Sequence, residues 1–167
     1  MGRWRPARPG SSPYITPEGA RRLDGELKTL WRQTRPEVVR ALGAAAAEGD
    51  RSENAEYIYR KKQLGEIDRR IRYLSKRLDR VKIIDQIPAD TSRVRFGARI
   101  TVQDASGEKQ YRIVGADETS ASDGWISVDS PVARALLGKA CGERAAVTLP
   151  EGTQVLEIVK ISYRSTE

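Results

Sequence analysis

From Tyr57 to Val81 the apolar residues recur with a strict four-and-three spacing, Tyr57, Leu64, Ile71 and Leu78 alternating with Arg60, Ile67, Leu74 and Val81. Seven of these eight positions are apolar, and such a repeat suits a helix that packs along one narrow seam against another helix. A partner seam starts upstream at Ala20, Leu23, Leu27 and Leu30, changes phase around Pro36, and continues through Trp31, Val38, Leu42 and Ala45. Proline inside a helix costs about 3 kcal/mol, so a kink is expected there. The connection from Glu48 to Ser52 is short enough to force the helices antiparallel. The expectation is a helical hairpin. Helices of about 30 residues at ~1.5 Å rise per residue give an arm on the order of 45 Å long, whose far end should project.

The residues at the turn of this hairpin are small or acidic. Ala44 to Ala47 let the two helices approach closely, and Gly49 supplies the left-handed backbone that ends the first of them. Asp50 and Glu53 then stand three apart at the start of the second helix. Two readings of this pair are open. As a capping box, Asp50 accepts amide protons while Glu53 reaches back. As a ligand pair at the end of a thin rod, the carboxylates hold Mg²⁺ weakly, leaving its shell to water, substrate phosphates or another protein's ligands.

Behind the tip, Lys62, Arg69 and Lys76 recur every seven residues on the face opposite the seam, with Lys61, Arg70, Arg72 and Arg77 alongside. This stripe is either the solvated face of a coiled coil or a track for anions. Residues 1–16 carry three Arg and no acid, residues 17–81 carry 16 basic and 11 acidic residues, and residues 82–167 carry 11 and 12. The electrostatic footprint of an anionic partner therefore falls on the first half.

The chain has no histidine, which removes the usual general base and the Ser/His/Asp arrangement. Its one cysteine, Cys141, can form neither an internal disulfide nor a thiolate zinc site. Any catalytic metal must be held mostly by oxygen, which favours Mg²⁺ or Mn²⁺. No run approaches the ~18 apolar residues of a membrane span, and the start lacks the apolar stretch of a secretory signal. A cytoplasmic protein with no membrane partner is expected.

From Val94 the texture changes. Val94–Phe96, Ile100–Val102, Tyr111–Val114, Trp125–Val128, Ala146–Leu149 and Val155–Ile161 read as short strands divided by Gly, Asp and Ser turns. A helix fits Pro131 to Leu137, with Ser130 as N-cap and Pro131 in its first turn. The fold class is therefore α+β: a disordered basic tail over 1–13, an antiparallel coiled-coil hairpin over 14–84 with its acidic tip at 49–54, a linker over 85–92, and a compact domain over 93–167.

Particular strings also carry a resemblance. Leu30-Trp31-Arg32, Arg35-Pro36-Glu37-Val38, the run from Gly49 to Tyr57 (GDRSENAEY), Lys61-Lys62 and Glu66 to Leu74 resemble the GreA/GreB family of bacterial transcript cleavage factors. So do Phe96-Gly97-Ala98, Tyr111 to Gly115, Ile126 to Pro131 and Ala133 to Leu137. The GDRSENA string and the basic run after it favour the GreB branch, and the resemblance covers about Tyr14 to Tyr163.

The resemblance implies an FK506-binding-protein-like second domain, without prolyl isomerase activity being readable from it. It further implies a factor that binds backtracked or paused bacterial RNA polymerase and inserts its coiled coil through the secondary channel. There it stimulates the polymerase's own cleavage of the nascent RNA 3′ end, so it is not an enzyme by itself. The family's catalytic carboxylates fall on Asp50 and Glu53, which help retain a Mg²⁺ shared with the polymerase, with Ser52 and Asn54 beside them. Lys61, Lys62, Arg69 and Arg70 match the RNA-facing patch, while Gln63 and Gly65 stand where GreB proteins often carry arginine. Asp129, Ser130 and Pro131 match the loop that docks on the polymerase, although Ser-Pro before a helix is also plain capping. A monomer is expected. The other readings are a secondary-channel regulator that does not cleave, and a free nucleic-acid-binding coiled coil.

Overall fold

The computed structural model describes residues 10–49 and 53–163. The chain forms two compact units, residues 20–80 and the residues on either side of them. None of the described helices is long and apolar enough to cross a membrane.

The first unit is the hairpin. Helix α1 (Pro17–Thr29) leads through a π-helical turn (Leu30–Thr34) into α2 (Arg35–Ala47), and α3 (Ala55–Leu78) returns. Val38, Ile67 and Ile71 form a buried cluster with Leu27, Leu30 and Leu64 packed against it. Two ion pairs cross the seam beside this cluster. Arg35 Nε meets Asp68 Oδ1 at 2.8 Å, and Arg70 clasps Glu26 with Nε–Oε1 at 2.6 Å and Nη2–Oε2 at 2.7 Å.

The phase change expected near Pro36 takes the form of that π-helical turn. A three-and-four spacing continued from Leu30 would reach positions 34, 37, 41 and 44, yet the apolar residues stand at Val38, Leu42 and Ala45, one later each. A π-type bond closes over one residue more than an α-type bond, and here Arg35 N–H donates to the carbonyl of Leu30. The extra residue absorbs the shift. Pro36, which has no N–H to give, follows directly on that bond, where the helix passes from π-type to α-type spacing. Trp31 is a correction: placed in the seam by its sequence, it lies on the π-helical turn with 59% of its surface exposed.

The second unit holds a five-stranded sheet. Its strands are β3 (Arg99–Asp104), β4 (Gly107–Val114), β5 (Trp125–Ser127), β6 (Arg144–Leu149) and β7 (Gly152–Ser162), ordered β5-β4-β3-β7-β6. All neighbours are antiparallel except β4 and β5. Alternation along β3, β6 and β7 turns Ile100, Val102, Ala145, Val147, Leu156 and Ile158 to one face, where they form the core with Ile113 and with Ala133 and Leu136 of the short helix α4 (Pro131–Leu136). Val94–Phe96 is not a strand. Val94 is buried in a loop, its N–H bonded to Lys139 and its carbonyl to Gly138.

The same unit takes in residues that the sequence joins to the hairpin or the tail. Strand β1 (Tyr14–Ile15) pairs in parallel with β2 (Lys82–Ile83), and the boundary between units falls inside α1, after Gly19. The anchor is Glu118, 1% exposed, whose carboxylate accepts from Thr16 N at 3.0 Å and Gly115 N at 2.8 Å and from the Thr16 hydroxyl. Thr16 Oγ1 accepts in turn from Gly19 N at 3.1 Å, so the hydroxyl caps α1 while donating to the carboxylate. Gly19 and Gly115 make room for this arrangement. A Cβ on Gly19 would stand 2.1 Å from Glu118 Oε1, and one on Gly115 would stand 2.4 Å from the carbonyl oxygen of Tyr14. Arg112 adds a second tie, its Nη2 on Glu18 at 2.7 Å and its guanidinium 5.1 Å from the Trp125 ring centre.

Candidate functional site

The end of the hairpin is built from the backbone outward. Helix α2 stops at Ala47, the N–H of Glu48 closes on the carbonyl of Ala45, and Gly49 follows with φ +151°, a positive value open to glycine but well past the αL cap of about +57° expected from the sequence. Asn54 opens α3. Its Oδ1 accepts from Tyr57 N at 3.0 Å, and its Nδ2 donates to the Ala45 carbonyl at 2.7 Å. One side chain thus caps the second helix and satisfies a carbonyl at the end of the first.

Because Asn54 is the cap, Glu53 precedes the helix instead of occupying its third position, and the carboxylate is not needed to reach back. Glu53 is exposed. The capping-box reading therefore does not describe Glu53, and the physical reason is that the N-cap acceptor is Asn54, four residues beyond Asp50, so that α3 begins after Glu53. Asp50 and Ser52 lie outside the described residues. Among the described residues, no three metal-ligating side chains gather.

Along α3 the basic residues differ in availability. Lys61, Lys62 and Arg69 are exposed, and the Arg69 guanidinium reaches over the bare backbone of Gly65, where a Cβ would stand 3.6 Å from Nη1. Arg70 is different. It makes the two-pronged bond to Glu26 described above, its side chain is 18% exposed, and its guanidinium stands 5.5 Å from the Tyr73 ring centre. It braces α3 against α1 and presents little of its charge to a ligand. Nearer the tip, Arg60 bonds to Glu56 at 2.7 Å and Gln63 at 3.1 Å and lies 5.4 Å from the ring centre of Tyr59.

On the second unit, both Asp129 carboxylate oxygens accept from Ser12, from its N–H at 2.9 Å and its hydroxyl at 2.6 Å. Ser12 is thus held by two hydrogen bonds, although the sequence puts it in a disordered tail. Ser130 Oγ accepts from Ala133 N at 3.1 Å, the helix cap expected of it, and Pro131 is exposed in the first turn of α4.

Comparison with known proteins then decides the family. Residues 13–83 match the family model described as "Transcription elongation factor, N-terminal", and residues 89–163 match "Transcription elongation factor, GreA/GreB, C-term". Transcription elongation factor GreB of Xanthomonas axonopodis pv. citri is 59% identical, over 99% of each chain. The chain belongs to the GreB branch of the GreA/GreB transcription elongation factors. GreB of Pseudomonas aeruginosa is 52% identical over 98% of each chain. Among solved structures, that of the GreA factor homolog 1 (Gfh1) protein of Thermus thermophilus is 22% identical, covers 90% of this chain and 99% of its own, and superposes with a TM-score of 0.42.

Sequence reasoning missed two features of this GreB-type tip. The bond from Asn54 back to Ala45 needs the two helix ends side by side, which no linear pattern displays. The exposure of Tyr59 is the second, and its signal was an aromatic residue off the seam followed by three basic residues.

Proposed function

We propose that this protein binds backtracked or arrested bacterial RNA polymerase, inserts its hairpin through the secondary channel and stimulates the polymerase's own Mg²⁺-dependent cleavage of the extruded 3′ RNA. Stalled complexes are thereby rescued. The observation that carries the reading is the position of Glu53, which stands exposed at the turn of the hairpin while Asn54 does the work of capping. A carboxylate relieved of a structural duty is free to act as a ligand.

Asp50 and Glu53 are hard oxygen donors of the kind that suits Mg²⁺, and as a pair they are too few to hold the ion alone. They contribute to a site completed by the polymerase, and their second office is to orient the attacking water by accepting its hydrogen bond. The ion, when bound, supplies the Lewis acidity that makes that water a nucleophile. Ser52 and Asn54 support the tip. Lys61, Lys62 and Arg69 attract the phosphates of the extruded strand, and lie far enough along the helix that they do not quench the acidic end: Lys61 and Lys62 stand ~12 to 14 Å from Glu53 by helical rise, beyond a Debye length of about 8 Å. The loop of Asp129, Ser130 and Pro131 docks on the polymerase with its shape fixed by the Ser12 and Ala133 hydrogen bonds. The protein acts as a cytoplasmic monomer and has no hydrolytic activity of its own.

The test is cleavage of RNA in purified backtracked complexes with Mg²⁺ varied. Asp50→Asn and Glu53→Gln should bind polymerase normally and lose stimulated cleavage; cleavage at the unsubstituted rate would reject the reading in favour of a channel-occupying regulator.

A further inference from the structure

Tyr59 and Ile58 interrupt the charged surface of α3 close to the tip, with 57% and 53% of their surfaces exposed. Neither belongs to the seam, and an exposed tyrosine next to an exposed isoleucine is a poor fit to a merely solvated face. At 100° per residue, Ile58, Tyr59, Lys62 and Arg69 fall within an arc of about 100° on one side of the helix. Lys62 and Arg69 are exposed on that arc, and Glu66 is its one acid.

The ring of Tyr59 is held in place from one side. The Arg60 guanidinium lies 5.4 Å from its centre, and that guanidinium is itself fixed by Glu56 at 2.7 Å and Gln63 at 3.1 Å. An arginine so restrained acts as a backing plate. It removes much of the freedom that an exposed tyrosine would otherwise lose on binding, and its charge polarises the ring it faces.

We propose that Tyr59 is a stacking platform for a base of single-stranded RNA, with Lys62 taking a neighbouring phosphate and Arg69, about 15 Å along the helix from Tyr59, one further along the strand. A positively charged track punctuated by an aromatic ring is how proteins hold single strands without reading sequence: the phosphates supply long-range attraction and each base offers a flat face to the ring. Charge complementarity selects the occupant, since an apolar protein surface would not favour a ring followed on the same face by exposed Lys62 and Arg69. The assignment rests on the RNA-facing reading of the hairpin given above and adds a base contact to it.

The experiment separates the two. Full-length protein at low salt is titrated with a short fluorescent RNA oligomer and with an abasic oligomer of the same length and charge. The unsubstituted protein should prefer the base-bearing strand by at least about five-fold, the lower end of what one stacked base contributes. Tyr59→Phe should keep that preference, and Tyr59→Leu, which retains bulk and apolarity on an exposed site, should abolish it while leaving the abasic affinity unchanged. Equal binding of the two strands by the unsubstituted protein, or a preference that survives Tyr59→Leu, would overturn the platform. Either outcome is independent of cleavage, so a protein that stimulates cleavage normally and shows no base preference refutes the platform alone.

Discussion

The two units handle their carboxylates in opposite ways. In the compact unit Glu118 is 1% exposed and receives two backbone N–H groups and a hydroxyl, whereas Glu53 of the hairpin stands exposed beside a helix that Asn54 already caps. A buried acid with its oxygens taken up holds structure, and removing its partners leaves an expensive unsatisfied group. An acid at a loop end with no structural duty is available for chemistry. What separates the roles is the supply of local donors, since the residue type is the same.

Substitutions can break or sharpen this contrast. The largest effect belongs to the two acids of the tip: Glu53→Gln or Asp50→Asn should lower stimulated cleavage by on the order of 100-fold or more, the loss of several kcal/mol of metal-assisted stabilisation, with no change in melting temperature. Glu118→Gln should lower the melting temperature; should either tip substitution do the same, the contrast fails.

Next comes Gly115→Ala. Its Cβ would meet the Tyr14 carbonyl oxygen at 2.4 Å and Glu118 Oε2 at 2.9 Å. Backbone must move to admit it, so a loss of about 3 kcal/mol is expected in chemical denaturation of the compact unit. Hydrogen exchange should locate the opening at Tyr14 to Gly19.

Asn54→Ala should cost about 1 kcal/mol, the usual value of an N-cap. Exchange at the start of α3 should rise, and cleavage should fall further than stability does, because the same side chain ties Ala45 to the second helix.

Smallest is a pH effect on the β3–β4 hairpin. The Lys109 ammonium, followed by Ser106, holds the Asp104 carboxyl well below the usual carboxylate range. Because the folded pKa is depressed, the stabilisation is present above the unfolded pKa of about 3.9 and is lost as pH falls below it. Asp104→Asn should flatten the acid limb of the stability profile slightly.

Much of this was readable in advance. The four-and-three spacing of α3 gave the hairpin, and five of six apolar runs in the second half are strands. What escaped has physical causes. Strands β1 and β2 are two residues each, too short for any alternation to register. Glu118 sits in a run of Asp, Glu, Thr and Ser that reads as a surface turn, and only the fold brings Thr16 to it. Val94–Phe96 has the composition of a strand, but its backbone bonds go to Gly138 and Lys139. Trp31 was assigned to the seam by running the shifted register of Val38, Leu42 and Ala45 back seven residues, across the π-helical turn in which the shift takes place. Arg70 resembled its neighbours on the stripe, and only the position of Glu26 across the hairpin shows that its charge is spent on a brace. At the tip, the pattern Asp-x-x-Glu satisfied a capping rule that Asn54 satisfies better.

The π-helical turn carries a mechanical consequence. Such a turn is a defect that can walk along a helix, handing one residue at a time from one face to the other. Here Pro36 stands on its downstream flank. Were the defect to pass it, the pyrrolidine ring would lie in a regular α-helix against the carbonyl of Arg32, at a cost of about 3 kcal/mol. The proline works as a pin: travel of the defect away from it in either direction would leave the ring in a regular α-helix, so the extra residue stays beside Pro36.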